Sequence, residues 1–455
     1  MGCFCDALAN ERERKDEENM NRIKEIEINS VLDQENTFRE NLNKNQCVHQ
    51  KKINLFNFDD EKGNAPIAKN NLSLNQREEE SDQLKFNKDL CKSLASSLPK
   101  RKKIEYQAFK DLLKLKTVNL SDKEKSFVIF LWIGDNISYD LDSYFARRDV
   151  DCSPKGVFKS GSSVCSGYSR LYKDFADYIG LEVECVPCYS KGAYYSVGDK
   201  LTSTDHEYNV IKLNNKWYPI DSTWGAGHVE GKKYIKSYNE FYFLTNPDLL
   251  IKTHFPADDK WQLTKKKYSL EEFLRWPNIK STFYNFGFEK YFPDEGIIEL
   301  KNKNIQKFII YGNNMNQKGA ACKICLLEGN TYVQQSNSNI TNFYKDRLEV
   351  SAIFNKKGKY KVEIYGNNER GNTNYIIMLE YAVYVENNAV KNLAFPIFYA
   401  GWENINVIEP LYDNLRSGEK VNFKIESILN EIIIFDDEWH YLKRNDQGYF
   451  DWKSK

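Results

Sequence analysis

The sequence has no excess of charge of either sign: Lys plus Arg and Asp plus Glu both number 65 in 455 residues. A chain with no net charge has no overall field to draw it onto nucleic acid or anionic lipid, so nucleic-acid partners are not expected and partners have to be read from local sites. Long apolar runs are missing too. The longest, around Phe127 to Ile133, falls far short of the ~20 residues that cross a bilayer, and no apolar stretch follows a basic region near the N-terminus, so neither membrane spanning nor secretion is expected. The chain also lacks a Walker-type loop, a dinucleotide glycine fingerprint, an EF-hand loop and an HExxH motif. Nucleotide, calcium-loop and zincin readings therefore have no support, and no cofactor or metal is expected. No tandem repeat of fixed period is visible.

Cysteine, by contrast, is present ten times. Without a signal peptide this usage fits a reducing, cytoplasmic compartment where thiols stay free and one of them can serve as a reagent. The length allows roughly three domains of about 150 residues. Residues 1–100 are rich in Glu, Lys, Asn, Gln and Ser with scattered apolar positions, and read as a mostly disordered polar leader. An α+β domain is expected over 101–290, a β-sandwich-like domain over 295–390, and a short β-rich piece over 396–455.

Within the α+β segment, Ser121 with Glu124 three residues on forms a helix-starting signature before the apolar run FVIFLWI. A second helix is read from SSVCSGYSRLYKDFADYIG, where Tyr168, Leu171, Tyr172, Phe175, Ala176 and Ile179 recur at helical spacing and Gly180 supplies the stop. Strands follow in LEVECVPCYS, HEYNVIKL and KWYPIDSTW, the last two joined by Asn214-Asn215, a dipeptide that tolerates the positive φ of a hairpin turn.

Cys165 falls at the start of the second helix, with Ser162 or Ser163 available as N-cap. The unpaired N–H groups and partial positive charge of a helix N-terminus favour a thiolate and can face the oxyanion formed when it attacks an acyl carbon. An inert buried cysteine is the commoner occupant of such a position, so a base must be found. In the hairpin, Leu213 opposite Lys216 places His206 opposite Thr223, with Asp221 as diagonal neighbour on the same face. Asp205 is closer in sequence, but successive strand residues point to opposite faces, which leaves Asp221 as the group to orient the imidazole.

These residues also carry a family resemblance. The runs VCSGYSRLYKDFADYIGLEVECVPCYSKGAYY and DHEYNVIKLNNKWYPIDSTWGAG resemble the core of the transglutaminase-like superfamily, and YNEFYFLTNPDLLIKTHFPADDKWQL resembles the extension typical of the kyphoscoliosis peptidase family. The likeness covers about 120–285 and continues more weakly through the β-rich tail. It implies a papain-like core in which the helix bearing the cysteine packs on an antiparallel sheet bearing the histidine and aspartate. The family's catalytic cysteine falls on Cys165, its histidine on His206 and its aspartate on Asp221; two residues after the histidine stands Tyr208, where Trp is common. The resemblance further implies a cysteine peptidase working through a thioester, with protein substrates associated with the cytoskeleton.

Two other readings share the evidence. A protein-glutamine acyltransferase would use the same triad and differ only in the second acceptor, and a non-catalytic cytoskeletal scaffold would use the fold for binding. Other signals are weaker. Cys185 with Cys188 and Cys322 with Cys325 form two CxxC pairs, but a strand sends residues three apart to opposite faces, which argues against zinc. His228 and His254 are expected to be structural. Met1-Gly2-Cys3-Phe4-Cys5 resembles a dual-acylation start, with Gly2 for myristate and Cys3 and Cys5 for palmitate, which would give membrane association; Asp6 stands where the pattern prefers Ser or Thr.

Overall fold

The computed structural model describes residues 86–386 apart from 302, 337 and 373, together with 395, 405–409, 422–427, 431–435, 439–446 and 449–453. The acylation candidates Gly2, Cys3 and Cys5, and most of the expected leader, lie outside the described residues. The chain forms two units. The described part of the first runs over 86–195 and 199–273, and that of the second takes 196–198 and 274 onward.

Three helices open the first unit: α1 (Lys88–Ser97), α2 (Tyr106–Thr117) and α3 (Asp122–Asn136). The unit thus begins before the expected boundary at 101, because α1 places Cys91 and Ala95 in the core. The capping box forms at α3: the Glu124 N–H donates to Ser121 Oγ at 3.3 Å, and the Ser121 N–H donates to Glu124 Oε2 at 2.9 Å. The apolar run behind it is buried nearly all round, as a central helix requires. Helix α4 (Cys165–Tyr178) buries Tyr168, Leu171, Tyr172, Phe175 and Ala176, the face its spacing predicts, and Gly180 ends it with φ of 88°. Leu171 and Phe175 each contribute about 1.5–3 kcal/mol on burial.

Strands β1 (Val183–Ser190), β2 (His206–Leu213), β3 (Lys216–Ile220) and β4 (His254–Pro256) make an antiparallel sheet in the order β3-β2-β1-β4. Helix α4 packs on β1 and β2. The hairpin turn is as the dipeptide predicts, with φ of 49° at Asn214 and 62° at Asn215.

The second unit is a two-sheet β structure. One sheet has the order β5-β7-β11-β10, from β5 (Phe288–Phe292), β7 (Ile305–Gly312), β10 (Asn339–Phe343) and β11 (Arg347–Ile353). The other has the order β6-β13-β12-β8-β9, from β6 (Ile297–Leu300), β8 (Gly319–Glu328), β9 (Thr331–Gln334), β12 (Gly358–Asn367) and β13 (Ile376–Val385). Phe308, Ile310, Leu348 and Val350 of the first sheet share one core with Ile324, Val362, Leu379 and Val383 of the second. This unit starts earlier than the expected 295, because the short strand Asn278–Ile279 pairs with β13 and Phe283 enters the same core. Further strands at Ile405–Glu409, Asn422–Ser427 and Tyr449–Lys453 form a small sheet near the C-terminus. Among the described residues no helix is long and apolar enough to cross a membrane.

Candidate active site

Cys165 is the first residue of α4 and is partly exposed. The N-cap is Val164, and no side chain caps the helix. The expected capping by Ser162 or Ser163 does not occur, because both are drawn into a short parallel pairing with Ser138 and Tyr139. The N–H groups of Cys165 and Ser166, the first two of the helix, are therefore left without a side-chain acceptor beside the thiol, while that of Gly167 bonds Val164 O at 3.0 Å.

His206 begins β2, opposite Cys188 of β1, with the Cys165 side chain close enough to bear on its ionisation. His206 Nε2 lies 2.8 Å from Asp221 Oδ2. An ionised carboxylate only accepts, so Nε2 carries a proton and the other ring nitrogen is left for the thiol. Burial alone would push the imidazole down, but the charge and hydrogen bond of Asp221, and then Cys165, hold it well above its ordinary range.

The hairpin register holds through Asn209 opposite Ile220, as expected, and then departs from it. Thr223 does not face His206: Asp221 leaves the sheet, its N–H donating to Tyr242 O at 2.9 Å, and caps the short helix α5 (Ser222–Ala226). Its Oδ1 accepts the N–H groups of Thr223 at 2.8 Å and Trp224 at 3.0 Å, the geometry an N-cap aspartate prefers. The glycine of the DSTWG run is required sterically, since a Cβ on Gly225 would lie 2.3 Å from the Phe130 ring. Asp205 points elsewhere, as expected, with Oδ1 accepting the Ser190 N–H at 2.7 Å.

Sequence reasoning missed one member of this cluster. His254, expected to be structural, opens β4, and its Nε2 lies 3.0 Å from the same Asp221 Oδ2. Its Nδ1 lies 2.8 Å from Thr253 Oγ1. The signal that would have found it is the pairing of β4 with β1, which sets His254 opposite Ser190 and is not a local hairpin rule. Asp221 thus accepts four hydrogen bonds while only 1% exposed. Burial would raise its carboxyl, yet the two histidines hold it well below the usual carboxylate range. Burial lowers His254 below the ordinary imidazole value despite its bond to Asp221. The Trp224 ring sits 5.3 Å from the His206 ring and 4.4 Å from the His254 ring, screening the pair from water.

His206, Asp221 and His254 are also the one grouping of three potential metal ligands among the described residues. Their N···O separations of 2.8 and 3.0 Å are those of hydrogen bonds, and the second Asp221 oxygen is already taken by two backbone N–H groups. The donor set is consumed without an ion. His228 is exposed and lies 3.4 Å from Glu230. The two CxxC pairs lie on strands β1 and β8, and burial raises all four thiols, that of Cys185 to about 11.

Comparison with known proteins adds to this geometry. Residues 270–396 match the model of the KY-like, immunoglobulin-like domain. Kyphoscoliosis peptidase of Mus musculus is 36% identical over 185 residues, which cover 40% of this chain and 28% of the relative. Hillarin of Drosophila melanogaster is 30% identical over 39% of this chain and 23% of its own length. The LIM and transglutaminase domain protein of Caenorhabditis elegans is 27% identical over 40% of this chain and 27% of its own. The chain thus spans less than a third of the length of these relatives.

Proposed function

We propose, from the premise that this chain belongs to the kyphoscoliosis peptidase family, that it is a cysteine peptidase built on a papain-like core. Cys165 is its nucleophile, His206 its general base and acid, and Asp221 the group that orients the histidine. The observation carrying this reading is the continuous line from a partly exposed thiol at a helix N-terminus, through His206, to a buried carboxylate. The Cys165 thiol gives its proton to His206 and its sulfur attacks a peptide carbonyl, forming a C–S bond. The oxyanion faces the first-turn N–H groups of α4. The His206 imidazolium then gives that proton to the leaving amine as the C–N bond breaks. Water attacks the thioester, His206 takes a proton from it, and the C–S bond breaks to release the acid, the His206 proton then returning to the Cys165 sulfur. Asp221 stays ionised throughout, its four donors making protonation unfavourable.

A second reading, acyl transfer to an amine in place of water, draws support from the relative named as a transglutaminase domain protein. The family resemblance makes cytoskeletal proteins the proposed substrates. Incubating a cytoskeletal protein extract with wild type or Cys165→Ala, with and without a labelled primary amine, separates the readings. Fragments that depend on Cys165 support hydrolysis, and amine incorporation without fragments supports the transferase. Neither product, from a protein whose Cys165 accepts an acyl-reactive probe, favours a scaffold. N-terminal acylation at Gly2, Cys3 and Cys5 is proposed separately, and unchanged membrane content in Gly2→Ala would remove it.

A further inference from the structure

Beneath His206 lies a histidine that the steps above do not use. His254 is 1% exposed, and its Nε2 approaches the same Asp221 Oδ2 at 3.0 Å that His206 Nε2 approaches at 2.8 Å. Two imidazoles compete for one carboxylate oxygen, and placing a positive charge on both would set like charges side by side, their rings 5.2 Å apart.

The far nitrogens decide which ring is the cation. That of His206 is left for the Cys165 thiol, where a proton is repaid by a thiolate. That of His254 meets the Thr253 hydroxyl at 2.8 Å. The hydroxyl has one proton, and Leu250 O, at 3.3 Å, is the more distant claimant. A neutral His254 carries its proton on Nε2, which faces the Asp221 carboxylate, so its Nδ1 presents a lone pair to which the Thr253 hydroxyl can donate, holding that tautomer. The other groups around His254 do not change this assignment. Tyr208 and Tyr242 present rings at 5.6 and 6.2 Å, Trp224 one at 4.4 Å, and Ser190 stands opposite in register. The N–H of Lys191 donates to Thr253 O, but its ammonium lies 4.6 Å over the Phe273 ring. Cys188, on the neighbouring strand, has a buried thiol that stays protonated.

We propose that His254 is a positioning residue: a neutral second donor, fixed in its tautomer by Thr253, that holds the Asp221 carboxylate in place for His206 while limiting how tightly that carboxylate retains the His206 proton. This rests on the reading of Cys165 and His206 as nucleophile and base. A carboxylate with one donor fewer is a stronger acceptor, so losing His254 should strengthen the hold on the imidazolium and slow proton delivery to the leaving group.

The test is the pH profile of Cys165 alkylation by iodoacetamide in the full chain. Two ionisations are expected in the wild type, formation of the thiolate–imidazolium pair and loss of the imidazolium proton. His254→Phe keeps a ring but no donor, and should move the upper ionisation up by about 0.5–1 pH unit and lower turnover about tenfold. His254→Gln, which can still donate, should restore the ionisation to within a few tenths of a unit. Thr253→Val frees Nδ1 to take a proton, so a competing cation forms and the upper ionisation should move down, the opposite sign. A folded His254→Phe with the wild-type profile overturns the proposal; if that variant does not fold, a wild-type profile in Thr253→Val overturns it instead. If Cys165 is not the residue alkylated in the wild type, the nucleophile assignment itself has failed.

Discussion

Both units bury charge, and they differ in where the charge leads. In the first, Asp221 takes hydrogen bonds from two histidines and two backbone N–H groups, and the line running outward through His206 ends at a partly exposed thiol. In the second, Glu363 and Glu380, 8% and 6% exposed, stand opposite each other on β12 and β13. Glu363 pairs with Lys361 at 2.9 Å and accepts from Tyr365 at 3.0 Å, while Glu380 accepts the Val197 N–H at 2.9 Å. The thiol beside them, Cys322, is pushed up by burial and by Glu363. A buried charge is therefore no signature of catalysis by itself. The asymmetry of the first cluster, one end sealed and the other open at a helix N-terminus, separates a candidate site from an ion-pair network that only holds a sheet together.

The sharpest way to break this comparison is Asp221→Asn. An amide would turn a donor toward His206, disfavour the tautomer that pairs with the thiol and remove the charge behind the imidazolium, so activity should fall about ten-thousand-fold while the fold persists. Peptide hydrolysis and circular dichroism on the same preparation check it. The second-unit counterpart, Glu363→Gln, should reverse the pattern: activity within about twofold of wild type, as for a group that shares no partner with the cluster, and a stability loss of about 1–3 kcal/mol in urea unfolding.

Acid should affect the two units unequally, in proportion to how their shifts combine. Asp221 is depressed in the folded state, so its contribution is complete above about pH 4 and is lost as pH falls below that. His254 is also depressed, so its contribution is present above about pH 6.5 and is lost as pH falls through its folded value. His206 is raised and works the other way, contributing fully below about pH 6.5 and losing this as pH rises through its folded value. In the second unit Glu363 is lowered and Glu380 raised, so their contributions oppose each other in the acid range. Limited pepsin digestion at stepped pH should open peptides of the first unit before those of 300–385; simultaneous opening would remove the distinction.

Much of the site was legible because its determinants are local. The positive φ of Asn214 and Asn215 fixes the hairpin, the hairpin fixes β2 against β3, and helical spacing places Cys165 at the head of α4. What escaped depends on partners distant in sequence. Ser162 and Ser163 were lost as caps to a pairing with Ser138 and Tyr139, and His254 reaches Asp221 across 33 residues through a three-residue strand. The early start of the second unit has the same origin, a two-residue strand at Asn278–Ile279 whose partner is β13. Short strands carry too few residues for alternation to show, and their register is set by the sheet they join.

The central claim, that Cys165 is an activated nucleophile and not one more buried thiol, is tested most directly by limiting alkylation with iodoacetamide at pH 6 followed by peptide mapping. Burial holds Cys91 and Cys185 up at about 11 and raises Cys188 and Cys322 further from reactivity. Cys165, by contrast, heads helix α4 and is partly exposed. Cys165 should be modified first among the cysteines of 86–386, and the modification should slow at least tenfold in His206→Ala; earlier labelling of Cys185, Cys188 or Cys322, or a rate at Cys165 indifferent to His206, would contradict the account.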